Sequence, residues 1–234
     1  MKSLALVAAL LAPAPALAQA YSCRIPERIP EVRPDLPSAS QPKRLRPLGG
    51  YTLAISWSPQ YCRSKAREPA NAFQCSGNRF GFVLHGLWPD GKGTEWPQYC
   101  EATTLLPPSL IRRNLCVTPS AQLQQHEWAK HGTCMPGVSP AEYFNRSTGL
   151  YRQLRYPDMI ALSRRPLTAG RLASAIARAN PGIKPEMMRI TATKQGWLDE
   201  VWLCLDTRFR YATCPAHQGG LKPGAPVKIW RGRR

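Results

Sequence analysis

Three of the four histidines of this 234-residue chain lie in two short stretches. FGFVLHGLWPDG, at 80–91, carries His85, and HEWAKHGTC, at 126–134, packs His126, Glu127, Lys130 and His131 into six residues. Each group alone has an ordinary reading. A histidine ending an apolar run packs at a strand end, and a Glu and a Lys one turn apart form a solvated helix pair. Their joint occurrence raises two chemistries, metal ligation and proton transfer.

The metal reading rests on spacing. H-E-x-x-H puts two histidines on one helix face and binds zinc. Here the pattern is H-E-x-x-x-H, and the added residue turns His131 roughly 140° from His126 on an ideal helix. The spacing instead aligns His126 with Lys130 and Glu127 with His131. The sequence also lacks an acidic cluster of the kind that holds magnesium in nucleases. The expectation is therefore a site with no metal and no cofactor. Two histidines suffice for one reaction in particular, cleavage of RNA, whose nucleophile is the substrate's own 2′-hydroxyl. The protein need only move two protons and stabilise charge on phosphorus. Imidazole, with a pKa near about 6.5, serves either proton transfer, and a lysine and a second histidine suit the phosphoryl charge.

These groups need a strand and a helix to hold them. FGFVLHGLW reads as a strand ending at Gly86, and YTLAISW at 51–57, MRITATK at 188–194, EVWLCLD at 200–206 and PVKIW at 226–230 as further strands. Pro119-Ser120 opens a helix through AQLQQHEWAKHG, ended by Gly132. Ser139-Pro140-Ala141-Glu142 is a capping box ahead of another. Thr168 starts AGRLASAIARAN, and Pro108-Ser109 starts LIRRNLC. Strands and helices are segregated, so the fold class expected is α+β, with a central, mainly antiparallel sheet and helices packed on it. His217 falls in a Gly- and Pro-rich loop and is assigned no site role.

Residues 1–20 read as a secretory signal peptide, cut near Ala18 or Ala20. Pro13 and Pro15 interrupt the apolar run, too short for the about 20 residues of a membrane anchor. Export places the protein in the periplasm or outside the cell, where eight cysteines read as disulfides. Residues 21–48, with Pro26, Pro30, Pro34, Pro37, Pro42 and Pro47, make an extended arm over the surface, and 49–234 a single domain. Lys and Arg number 32 against 14 acidic residues, a net charge of +18, and a surface so basic favours a polyanionic partner, nucleic acid first.

The segments Phe82-Val83-Leu84-His85-Gly86-Leu87-Trp88-Pro89 and His126 to Cys134 resemble the two active-site segments of the ribonuclease T2 family. Weaker likeness runs from about Tyr51 to Cys214. The resemblance implies a disulfide-stabilised α+β fold and a monomer that acts on single-stranded RNA, by metal-independent endonucleolytic cleavage through a 2′,3′-cyclic phosphate. It implies His85 as general acid, His131 as general base, Glu127 and Lys130 stabilising the pentacoordinate phosphorus and His126 binding phosphate. For the base it implies Trp88, Asp90 and the later aromatic Trp96, leaving base preference open. It also implies the pairs Cys100–Cys134, Cys204–Cys214 and Cys62–Cys75, which leaves Cys23 with Cys116 and the arm pinned to the core.

Overall fold

The computed structural model describes residues 20–232; the signal-peptide reading falls on 1–19 and lies outside the described residues, apart from Ala20. In chain order the strands are β1 (Ala20–Ser22), β2 (Leu48–Trp57), β3 (Arg79–Phe80), β4 (Phe82–Gly91), β5 (Met188–Ala192) and β6 (Leu198–Leu205). The α-helices are α1 (Ser58–Lys65), α2 (Ala72–Cys75), α3 (Pro108–Asn114), α4 (Ala121–Lys130), α5 (Pro140–Gln153), α6 (Met159–Leu162) and α7 (Ala169–Ala179). The main sheet runs β4-β2-β6-β5 and every pair in it is antiparallel, while β1 and β3 form a small ribbon.

Strand alternation divides the main sheet into two faces. Leu53, Ile55, Trp57, Phe82, Leu84, Leu87, Val201 and Leu203 point into the core, all of them buried. Helix α5 covers this face and is tied to it by Tyr143, whose hydroxyl donates to the Leu87 carbonyl and accepts from its N–H, and by Tyr151, whose hydroxyl donates to the Phe82 carbonyl. The opposite face presents Thr52, Trp88 and Asp90, with Glu200 and Trp202 beside them.

The caps that mark the helix starts form as the sequence suggests. Ser120 caps α4 by accepting from the Leu123 N–H, Ser139 and Glu142 close a reciprocal capping box on α5, and Thr168 caps α7. Two strand readings need correction. β4 does not stop at Gly86 but continues to Gly91 against β2, since the tertiary pairing with Leu48 to Trp57 supplies the ladder that local glycine content had argued against. PVKIW is not a strand; Pro226 and Lys228 make isolated bridges to Thr168 and Trp197. The helix α1, directly after β2, was not anticipated.

Disulfides join Cys23 to Cys116, Cys62 to Cys75, Cys100 to Cys134 and Cys204 to Cys214. The first spans 93 residues, worth about 4–5 kcal/mol in the chain-entropy account, and fastens the proline-rich arm. Other bonds fix the arm along its length. The Arg24 N–H donates to Asn78, Arg112 reaches the carbonyls of Pro26 and Glu27, and Arg33 and Gln122 exchange two hydrogen bonds.

Candidate active site

His85 owes its orientation to a bulge. Ala54 pairs with Gly86 and Ile55 with Leu84, so one step along β2 faces two along β4, and His85 is the extra residue. A bulge re-aims a side chain out of strict alternation; here Leu84 stays in the core while His85 turns to the open face. Gly86 is required because the space a side chain would fill there is already taken. A Cβ there would lie 1.7 Å from Oε2 of Glu127. The missing side chain is the room into which Glu127 fits.

Helix α4 supplies the other half. Its last carbonyls lack helical partners and are met from outside: the Tyr99 N–H donates to Lys130 O, and Thr133 Oγ1 donates to Ala129 O. The Cys100–Cys134 disulfide closes the same corner. His131 is the residue at which α4 ends (φ −111°, ψ −47°). Because the chain leaves the helix there, the rotation expected between His126 and His131 does not separate them. Their rings lie 6.3 Å apart, edge to face. His126, Glu127 and His131 even bring ligand atoms within 4.8 Å of one another, so the spacing argument against a metal does not hold as geometry.

The two histidines thought to move protons have opposite surroundings. Nδ1 of His85 lies 2.6 Å from Glu200 Oε1, and its Nε2 lies 3.4 Å from Glu127 Oε1. Burial alone would lower its pKa, but the Glu200 hydrogen bond and the charges of Glu127, Glu200 and Asp199 raise it to about 9. Glu200 is itself fixed by Ser56 Oγ and Trp202 Nε1, at 2.6 and 2.8 Å, and although burial opposes it, His85 holds its carboxyl below the usual range. His131 is 6% exposed, and among the described residues its Nδ1 has no hydrogen-bond partner. Burial first, then the charges of Lys130, His126 and His85, push its pKa well below the ordinary value. These surroundings favour the charged ring at His85 and the neutral ring at His131.

Glu127 lies beneath both, 1% exposed. Its Oε2 accepts from Trp88 Nε1 at 2.8 Å, and burial pushes its carboxyl up to about 7 against the pull of His85. Trp88 stacks on His131 at 5.5 Å and stands edge-on to His85 at 5.1 Å, so this indole also braces both imidazoles. Lys130 lines the same cleft, its pKa lowered by burial despite Glu127. His126 is held at Nδ1 by Asp35 of the arm, 2.8 Å away.

The cleft, about 630 Å³, continues from these groups to a second end. There Asp90 accepts from Thr52 Oγ1 at 2.7 Å, and burial raises its pKa although Thr52 and His217 oppose the shift. Gln218 bonds to Thr52. His217, assigned no role from its loop, lines this end with Gln218, because the Cys204–Cys214 disulfide ties the start of their loop to β6. Trp96, 46% exposed, stands at the mouth with the Arg44 guanidinium 5.1 Å above its ring. All eight residues singled out from the sequence line this one cleft. Glu200, Asp35 and Gln218 were missed. Glu200 sits in an ordinary strand sequence and Asp35 in an arm, and no local signal marks either.

Among proteins of known description, a "Probable ribonuclease" of Haemophilus influenzae is 30% identical over 180 residues, 72% of this chain, and the match spans 61% of that relative's length. A "Ribonuclease" of Aeromonas hydrophila is 34% identical over 162 residues, 67% of this chain and 71% of that protein. Among solved structures, an RNase-related protein from Calystegia sepium superposes with a TM-score of 0.62 at 25% identity, over 78% of this chain and 97% of the other. RNase NT, solved in complex with 5′-AMP, superposes with a TM-score of 0.56 at 21% identity, over 79% of this chain and 98% of its own. Residues 49–214 match the family described as the Ribonuclease T2 family, and with the two histidine segments inside that span the chain belongs to the ribonuclease T2 family.

Proposed function

We propose that the protein is an endoribonuclease that cleaves single-stranded RNA by attack of the 2′-hydroxyl through a 2′,3′-cyclic phosphate, using two histidines and no metal. The observation that carries this reading is the placement in one cleft of His85, bonded to the Glu200 carboxylate at Nδ1, and buried His131, both against Trp88. Neutral His131 accepts the 2′-hydroxyl proton as the 2′-oxygen bonds to phosphorus. Charged His85 gives its Nε2 proton to the departing 5′-oxygen. The products are a 2′,3′-cyclic phosphate and a free 5′-hydroxyl. Water then opens the cyclic ester with the two roles exchanged, restoring both histidines. Lys130 and Glu127 face the equatorial oxygens, where charge gathers, and His126 binds the phosphate. A family match and relatives named ribonuclease support the reading.

At the other end of the cleft, Trp88 and Trp96 offer aromatic surface to a base, and Asp90, held by Thr52, accepts from an exocyclic amino group. The protein acts as a monomer after export to the periplasm or beyond, consistent with four disulfides. The test is a defined oligoribonucleotide incubated in EDTA, with products weighed by mass spectrometry. Fragments carrying cyclic or 3′-terminal phosphate, lost in His85→Ala and His131→Ala, are expected. The converging ligand atoms of His126, Glu127 and His131 favour a second reading, a metal-dependent phosphodiesterase; activity abolished by EDTA and restored by a transition metal would replace the first.

A further inference from the structure

We infer that Asp35, carried by the proline-rich arm, is a positioning residue for His126, which makes the arm part of the phosphate-binding machinery rather than a surface wrapping. Asp35 Oδ2 lies 2.8 Å from His126 Nδ1 and accepts a second hydrogen bond, at 2.9 Å, from the Tyr99 hydroxyl. Both partners therefore fix one carboxylate oxygen, and Tyr99 is itself 5% exposed and joined by its N–H to the end of α4. With Nδ1–H donated to Asp35, the imidazole is held in one tautomer and one orientation. Its Nε2 is then the free edge, available to an anion in the cleft that His126 lines.

The electrostatics follow from everything that faces His126. Lys130 from its own helix and His85 from β4 disfavour a second positive charge there, and burial does so more strongly than either. Asp35 is the opposing group, favouring the charged ring, and it also favours the charge on Lys130. Without Asp35 nothing would offset burial and these neighbouring cations, and the His126 pKa, which burial already holds below the ordinary value, would fall further. The arm can deliver the carboxylate because it is anchored on both sides of residue 35. Cys23–Cys116 and Arg112 hold it upstream, Arg33 and Gln122 clasp it two residues before, and the Pro42 carbonyl and Arg44 backbone bond to Gln98 beyond.

This inference rests on the reading of the cleft as a phosphodiester site, and the experiment separates the two. The full chain and its Asp35→Asn and Asp35→Glu variants are titrated with inorganic phosphate across pH, following the His126 ring resonances by NMR, assigned by their loss in His126→Gln. KM and kcat on a ribodinucleoside monophosphate and melting curves are recorded alongside. Asp35→Asn is expected to weaken phosphate about tenfold, to move the His126 titration to lower pH, and to raise KM by a similar factor with kcat within about threefold. Asp35→Glu keeps the charge and should recover most of the loss. Native phosphate affinity and a native His126 titration in Asp35→Asn would overturn the inference, as would tighter phosphate binding or a loss in both variants that merely follows a lowered melting temperature. If phosphate behaves as expected but the native chain cleaves no RNA, the function fails and the positioning role stands.

Discussion

His85 and His131 have the same side chain and opposite fates. His85 sits on a strand bulge between two carboxylates and keeps a side chain 30% exposed, whereas His131 ends a helix, is buried against the Trp88 indole, and is pushed toward its neutral form by burial and by Lys130, His126 and His85. Burial acts on both in the same direction. What separates them is a carboxylate hydrogen-bonded to one ring, and in the proposed reaction this decides which ring enters as acid and which as base. The resemblance between sequences names the pair; the polarity comes from Glu200, a residue the motifs do not contain.

The largest test of this contrast removes each ring. His85→Ala and His131→Ala are each expected to lower kcat about 10²–10⁴-fold on a ribodinucleotide in EDTA, and the double variant to be little worse than either, since the two act in one step. Independent, multiplying losses would break the pairing.

Gly86→Ala comes next. A methyl group 1.7 Å from Glu127 Oε2 must displace that carboxylate, with a destabilisation of about 1–3 kcal/mol for overpacking, read as a lowered melting temperature, and roughly a hundredfold loss of kcat because both histidines border Glu127. An unaltered kcat would mean that Glu127 is not used where it lies.

Glu200→Gln tests the polarity itself. His85 must be protonated to act as acid, so the rate is lost as pH rises through its pKa. Removing the carboxylate lowers that pKa from about 9. The alkaline limb of the kcat profile should therefore move to lower pH, with about a tenfold deficit just above neutrality and near-native rates in acid. A limb that stays in place would assign the proton to another group.

The smallest effect is expected at the mouth of the cleft. Trp96→Ala should raise KM about fivefold, at the weak end of base stacking, and leave the pH profile unmoved. It sharpens the contrast by showing that a binding change alone does not shift either limb.

Much of the site was legible locally. The residue chemistry of the two histidine segments, the caps of α4, α5 and α7, and the even cysteine set all follow from short-range rules, because capping and residue chemistry depend on a few neighbours. The failures share a cause. Whether β4 stops at Gly86 depends on β2, thirty residues earlier, and a bulge is a property of two strands in register rather than of either one. His217 could not be placed without knowing that a disulfide returns its loop to β6.

The sequence by itself determined the inventory of the site: three histidines, a glutamate and a lysine in two short segments, on a strongly basic chain with eight cysteines. Tertiary structure alone decided how those groups are charged. Glu200 reaches His85 across 115 positions and Asp35 reaches His126 across 91, and a pKa is set by the charges and solvent around a group in space, which residue order along a chain does not specify.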